Sequence, residues 1–222
     1  MNRNMDPYNS PQWNLNTTFL TKSSLSQSYR KGMINRSSFH KLVLNKKAKI
    51  LDLGCGYGYF IKYFYQYGFK NLYGLDSDKE LIGLIPTEIA KVKKGFSQNI
   101  EFRNKEFDVV FIYGVLHHLE GLKDYKQTMS EVSRVLKKGG FAFIFEPGSW
   151  PIFRVMEYVV KYLGFFSKTF IAFSETMDEE RTEQHYFIKN HSVIRDYALR
   201  DELKIIIDRY FIYSWIAVFQ KE

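Results

Sequence analysis

Cysteine is almost missing from this chain. The one cysteine, Cys55, can build neither a disulfide framework nor a Cys-rich zinc site. Long apolar runs are missing too: no stretch of about 20 residues is free of charge, which argues against a membrane-spanning helix. The first residues lack the basic, apolar, small-residue order of a secretion signal, so the expected location is cytoplasmic. Acidic residues are outnumbered, 24 against 32 Lys and Arg, for a net charge of +8. The basic residues stand in small groups, such as Lys46, Lys47 and Lys49, or Lys91, Lys93 and Lys94. They read as a solvated surface with weak attraction for anionic partners, and no nucleic-acid-binding motif accompanies them.

Aromatic residues are plentiful. Twenty Phe and 16 Tyr help bring the aromatic share to 18%. That is more than a buried sheet demands, so either some of these rings line a pocket or the excess is compositional bias, since Lys, Asn and Ile are also abundant. At 222 residues the chain is long enough for one α/β domain with a real core, plus a cap.

The segment Lys49-Ile50-Leu51-Asp52-Leu53-Gly54-Cys55-Gly56-Tyr57-Gly58 is the most informative. An apolar strand ends in an acid and then in three alternating glycines. Glycine permits a sharp turn with φ > 0 and close backbone approach to a ligand. A helix starting just after it aims free N–H groups and a positive dipole end at that ligand. A dinucleotide fingerprint would place its third glycine at position 59, where Tyr59 stands. The next piece, Asn71-Leu72-Tyr73-Gly74-Leu75-Asp76, reads as a strand ending in an acid. Asp76 can accept both hydroxyls of a ribose, or Asp76 or Asp78 can simply cap the helix that follows.

Two further runs complete the pattern. One is Glu106-Phe107-Asp108-Val109-Val110-Phe111-Ile112-Tyr113-Gly114-Val115-Leu116-His117-His118-Leu119. The other is Glu131-Val132-Ser133-Arg134-Val135-Leu136-Lys137-Lys138-Gly139-Gly140, leading into the strand Phe141–Phe145 and Glu146-Pro147. Together, over residues 48–147, the four pieces resemble class I (Rossmann-like) S-adenosylmethionine-dependent methyltransferases, in the small-molecule branch that includes quinone-biosynthesis methyltransferases. The resemblance implies S-adenosyl-L-methionine as cofactor and S-adenosyl-L-homocysteine as product. It places Asp52 near the methionine ammonium, with Gly54, Cys55 and Gly56 forming the loop. Asp76 and Ser77 fall at the ribose, and Phe96, Ser97 and Tyr113 complete the cofactor set. One departure stands out. The family often has Gly-Asp-Ala before the fourth strand, its acid on the adenine amino group, whereas this chain has Gly95-Phe96-Ser97. Phe96 cannot accept a hydrogen bond, so ring stacking by Phe96 or a hydroxyl contact from Ser97 must serve, unless Phe96 is plain core and a backbone group makes the contact.

Strands and helices alternate at 48–53, 58–67, 71–75, 78–85, 89–94, 107–113, 121–137 and 140–146, which implies right-handed crossovers and a parallel sheet. A helix at 192–202 and apolar strands at 203–211 and 213–220 follow. The expected fold is α/β: a doubly wound, mostly parallel seven-stranded sheet with helices on both faces, an antiparallel final hairpin and a helical cap insertion. The expected divisions are an N-terminal segment with cap helices (1–46), a cofactor core (47–146), a lid or substrate cap (147–190) and a final helix and hairpin (191–222). Residues 1–25 are polar and are expected to hold little structure of their own. Tyr29 is either a cofactor contact or a core tyrosine. Within the insertion, Trp150–Leu163 reads as a helix with a narrow polar stripe. Its wide apolar face needs a partner: a lid over a hydrophobic substrate first, then a homodimer interface through 150–173, then a membrane surface.

Methyl transfer from a sulfonium is an in-line displacement with an excellent leaving group, so positioning supplies much of the rate. A hydroxyl acceptor also benefits from a general base. His117 and His118 are the candidates, each with a capping or packing alternative. Glu146 is the third catalytic candidate, to orient an acceptor or hold a cationic amine, or else to bond backbone. The Asp/Asn-Pro-Pro-aromatic run of exocyclic-amine nucleic-acid methyltransferases is missing after the fourth strand, and so is the cysteine of covalent base-carbon enzymes. No carboxylate follows that strand as in metal-dependent catechol-type enzymes, so no metal is expected. The expected partner is a small, partly hydrophobic methyl acceptor, with O-methylation favoured and N- or C-methylation open. The rival readings are an RNA or protein methyltransferase using the basic surface, and a non-catalytic cofactor-binding scaffold.

Overall fold

Seven strands form one sheet in the order β3-β2-β1-β4-β5-β7-β6 in the computed structural model, which describes residues 24–148, 159, 181–211 and 214–222. In chain order the elements are α1 (Ser24–Arg36), α2 (Phe39–Leu42), β1 (Lys49–Leu53), α3 (Tyr59–Gln66), β2 (Asn71–Asp76), α4 (Lys79–Ile82) and β3 (Ala90–Lys94). Then come β4 (Phe107–Tyr113), a 3₁₀ turn (Leu116–His118), α5 (Leu122–Val135) and β5 (Leu136–Pro147). The chain closes with α6 (Arg181–Asn190), α7 (Ser192–Arg200), β6 (Leu203–Phe211) and β7 (Ser214–Lys221). Residues 1–23 and most of the expected lid, including all of Trp150–Leu163 except Val159 and nearly all of the proposed dimer face, lie outside the described residues.

β1 to β5 pair in parallel, and β7 pairs antiparallel with both β5 and β6. The expected mostly parallel sheet with an antiparallel final hairpin is therefore present. The central strands are apolar on both faces because both faces are covered. Ile50, Phe111, Phe143 and Phe145 pack with Met33, Phe39, Phe60 and Phe64 of α1 to α3. Leu51, Leu53, Val110, Ile112 and Ile144 pack with Tyr125, Met129 and Val132 of α5 and with Phe187 and Ile194 of α6 and α7. Helix α6 falls inside the stretch read from sequence as lid, yet its Phe187 is fully buried in this second core. α1 is tied to the end of the sheet by Tyr29, whose hydroxyl lies 2.6 Å from Ser214 Oγ and whose ring stacks on Phe211.

The strand order reverses between β1 and β4. In open α/β sheets the crevice outside the strand carboxyl ends at such a switch point is where ligands bind. The glycine loop after β1, Asp76 at the end of β2 and the histidine turn after β4 all emerge there.

Candidate active site

The turn after β1 is pinned before any ligand arrives. The N–H groups of Gly54 and Cys55 donate to Leu75 O at 2.7 and 3.2 Å, and Gly56 N–H donates to Asp76 Oδ2 at 2.7 Å. Gly54 has φ +77, and a Cβ there would lie 2.2 Å from Val115 Cγ2, so no larger residue fits. Gly56 has φ +48, and a Cβ on it would meet nothing within 4 Å, which leaves its backbone face open. Cys55 is buried with its thiol against Gly74, where it fills space under the loop. Burial beside Asp52 and Asp76 pushes that thiol far above its ordinary range, so it is no nucleophile.

Asp76 and Asp78 divide the two roles open to them. Asp78 is the N-cap of α4, accepting from the N–H groups of Glu80 and Leu81. Asp76 accepts from Gly56 N–H through Oδ2 and from Asp78 N–H at 2.9 Å through Oδ1, and it lines a cleft of about 620 Å³. That volume lies within the roughly 300–1,000 Å³ usual for small-molecule sites. Ser77, Phe96 and Ser97 line the same cleft with Gly54, as do His118 and Asp124. The Phe96 ring is 61% exposed on this wall, so it is not core. The Ser97 hydroxyl is buried and already engaged, 3.1 Å from Thr128 Oγ1 and 3.2 Å from Gln98 Oε1. The loop carrying Phe96 is held by Arg134, which donates to Ile100 O, Phe102 O and Asn104 Oδ1 and pairs with Glu131. Gln98, Leu119, Glu120 and Asp124 also line the cleft and went unnoticed in the sequence. The signal available was their closeness in the chain to Ser97 and His118.

Asp52 is 2% exposed and does not line the cleft. Ile61 N–H in the first turn of α3 donates to its carboxylate, but Oδ2 is buried with no hydrogen-bond partner among the described residues. Burial, with the nearby Asp76 charge, pushes the Asp52 carboxyl up to about 8. Tyr113, at the end of β4, turns away from the cleft toward α1, with its ring beneath the Arg30 guanidinium.

The histidine turn separates its members. His117 is buried with Nδ1 2.7 Å from Glu146 Oε2, while Glu146 Oε1 accepts from the N–H groups of Val115 and Leu116, each at 2.7 Å. The Glu146 carboxylate thus holds the turn through three contacts. His118 is exposed on the cleft wall, and its Nδ1 lies 2.7 Å from Glu183 Oε2 of α6. Glu183 is a member of the site that sequence distance concealed. Among the described residues no group of three His, Cys, Asp or Glu side chains could hold a metal ion.

This fold and this cleft are similar to those of class I, Rossmann-like methyltransferase domains. Residues 51–144 match the family model described as a methyltransferase domain. The chain is 33% identical over 122 residues to an uncharacterized methyltransferase of Synechocystis, covering 50% of this chain and 57% of that protein. It is 28% identical over 114 residues to a ubiquinone/menaquinone biosynthesis C-methyltransferase of Campylobacter jejuni, covering 47% of each. The chain therefore spans about half the length of these relatives. In fold it matches a solved S-adenosylmethionine-dependent methyltransferase from Methanosarcina mazei, with a TM-score of 0.61 at 21% identity, over 83% of this chain and 96% of that one.

The cofactor of this class is S-adenosylmethionine, and the residues present fit it. Asp76 offers carboxylate lone pairs to a ribose, and Phe96 offers a ring face to a base. Gly56 leaves its backbone face open to a ligand, and the orphaned Asp52 Oδ2 suits a cation. No helix among the described residues is long and apolar enough to cross a membrane.

Proposed function

We propose that this chain is an S-adenosylmethionine-dependent methyltransferase acting on a small, partly hydrophobic acceptor, with His118 as general base. The observation that carries the reading is that one cleft is lined by Asp76 and Phe96 together with an exposed histidine already oriented by a carboxylate. Because Glu183 accepts from Nδ1–H, the basic nitrogen of His118 is Nε2. The bound cofactor supplies an activated methyl group on sulfur. Nε2 takes the proton from the acceptor, and base assistance of this kind favours a hydroxyl acceptor and O-methylation. An acidic carbon would use the same nitrogen, and the Campylobacter relative is named as a C-methyltransferase. His117 and Glu146 serve as positioning residues that fix the turn beneath His118. On this reading the protein works in the cytoplasm.

Two outcomes test it. In calorimetric titrations S-adenosylhomocysteine binds with micromolar affinity and NAD gives no heat; binding of NAD instead would sink the assignment. With an accepted substrate, His118→Ala lowers kcat by about 100-fold, the usual scale of general-base catalysis, while cofactor affinity changes little. An unchanged kcat removes His118 as the base.

A further inference from the structure

Acidic residues are spread unevenly over the two faces of the sheet. Ser24 to Leu75 spans α1, α2, β1, α3 and nearly all of β2, and it holds nine Lys and Arg against one acid, the buried Asp52. The helices of the opposite face, α5 to α7, mix both signs, with Asp124, Glu131 and Asp196 among Lys126, Lys189 and Arg200. Solubility alone asks for interspersed charge, not for an acid-free layer.

One corner of this layer carries unpaired cations. The loop from α2 to β1 (43–48) and the loop from α3 to β2 (67–70) meet at the amino ends of their strands, where Asn71 Nδ2 donates to Lys47 O at 2.7 Å. Lys41, Lys46, Lys47 and Lys70 are exposed, and among the described residues no carboxylate pairs with them. Two of these ammonium groups lie over rings instead, Lys46 at 4.2 Å from the Phe69 centroid and Lys70 at 3.5 Å from that of Tyr65. Such contacts orient a cation without neutralising it. The acids at the start of the adjoining β4, Glu106 and Asp108, are already taken by Lys49 and Lys137.

An apolar group stands at the same corner. Leu44 is 74% exposed, between the buried Val43 and the lysine pair. The turn after it is fixed by Asn45, whose Oδ1 accepts from Lys47 N–H at 2.9 Å and whose carbonyl accepts from Ala48 N–H at 3.0 Å. Leu44 also edges a recess of about 190 Å³ lined by Leu42, Val43, Ala48 and Phe141, with Lys138 among its walls. A lone exposed leucine is ordinary. One that adjoins an apolar recess and is flanked by unpaired ammonium groups matches phosphate headgroups with acyl chains beneath them. A nucleic acid fits less well, because it needs free ring faces for its bases. The Tyr67 ring at this corner is already stacked on His40, with centroids 4.7 Å apart, and Leu44 offers no ring.

We propose that this corner docks the protein on an anionic lipid surface, with the lysines on headgroup phosphates and Leu44 in the acyl boundary. The cleft opens at the opposite, carboxyl ends of the same strands, so the docked protein takes its cofactor and acceptor from the water side.

The test is sedimentation of the full chain with vesicles of phosphatidylcholine alone or with about 30% phosphatidylglycerol. Wild type binds the anionic vesicles at least about 10-fold more tightly than the neutral ones, and raising salt from about 0.1 M to about 0.5 M releases it. Replacing Lys46 and Lys47 together by alanine weakens anionic-vesicle binding by about 10-fold or more, and Leu44→Asp weakens it at either salt level. All three side chains are exposed, so melting temperature and S-adenosylhomocysteine affinity stay at the wild-type values in both variants. Equal binding to the two kinds of vesicle, or binding to neither, overturns the proposal. Anionic-vesicle binding that survives both variants places the lipid contact elsewhere and overturns it too. Binding of a single-stranded oligonucleotide that the lysine variant loses, with vesicles ignored, assigns the corner to nucleic acid instead.

Discussion

Replacing Asp76 by alanine is expected to weaken S-adenosylhomocysteine binding by about 100-fold or more, the largest loss for any single residue of the cleft. Two charge-assisted hydrogen bonds to ribose hydroxyls contribute about 1.5–3 kcal/mol each, which converts to roughly 100- to 10,000-fold in affinity. A second effect adds to this. The same carboxylate holds the glycine turn by accepting from Gly56 N–H and from Asp78 N–H, so the variant also loosens the loop that the ligand must meet. Asp76→Asn separates the contributions. Its one remaining carbonyl oxygen can keep one loop contact, but the amide has no charge for the ribose. The expected order of affinity is wild type, then Asn, then Ala, with both variants still folding cooperatively. A loss smaller than about fivefold in both would make Asp76 a loop anchor only and move the ribose elsewhere.

The core of this fold could be read from sequence because its signals are local. β1, β2 and β4 are continuous apolar runs closed by an acid or glycine, and they lie within a residue of where the pattern put them. Pro86 and Gly83 shorten α4, which ends at Ile82 before the expected Ile85. What could not be read depends on partners far away in the chain. Arg181–Asn190 carries too few apolar residues to announce itself as a core helix, and only the placement of Phe187 against Tyr125 and Trp215 reveals it. The same holds within the site. Nothing near Glu146 shows that its oxygens meet Val115, Leu116 and His117, 29 to 31 residues earlier. His117 and His118 are neighbours in sequence and look equivalent. One is buried on Glu146 while the other faces the cleft beside Glu183, a difference set by β5 and α6. Ser97 and Phe96 are separated in the same way, by the reach of Thr128 on α5. Residue types that could do the chemistry were visible; which of them retain free valence was not.

Asp52→Asn is expected to make the protein more stable and its cofactor site weaker, with both effects governed by pH. The folded-state carboxyl is raised to about 8 from an ordinary value of 3.8. Between these two values the folded chain holds a proton that the unfolded chain has released, so wild-type stability falls as pH rises through that window. Below about pH 4 both states are protonated and the asparagine variant gains nothing from this source. By pH 8 it should be more stable by about 2–4 kcal/mol, because it no longer buries a reluctant charge. Urea midpoints measured from pH 4 to pH 8 would show the two proteins diverging steadily; parallel curves would mean that Asp52 does not titrate in this range. Binding reports the same group from the other side. A cationic ammonium placed near Asp52 favours its ionised form, so wild type should release up to one proton on binding S-adenosylhomocysteine at pH 7. Its affinity should rise from pH 6 to pH 7.5. Calorimetry in buffers of different ionisation enthalpy counts that proton. Asp52→Asn should release none from this site and bind less tightly, with a flat pH profile. A buried acid that costs stability at neutral pH and returns it only when a cation arrives couples ligand binding to the folding of the glycine turn.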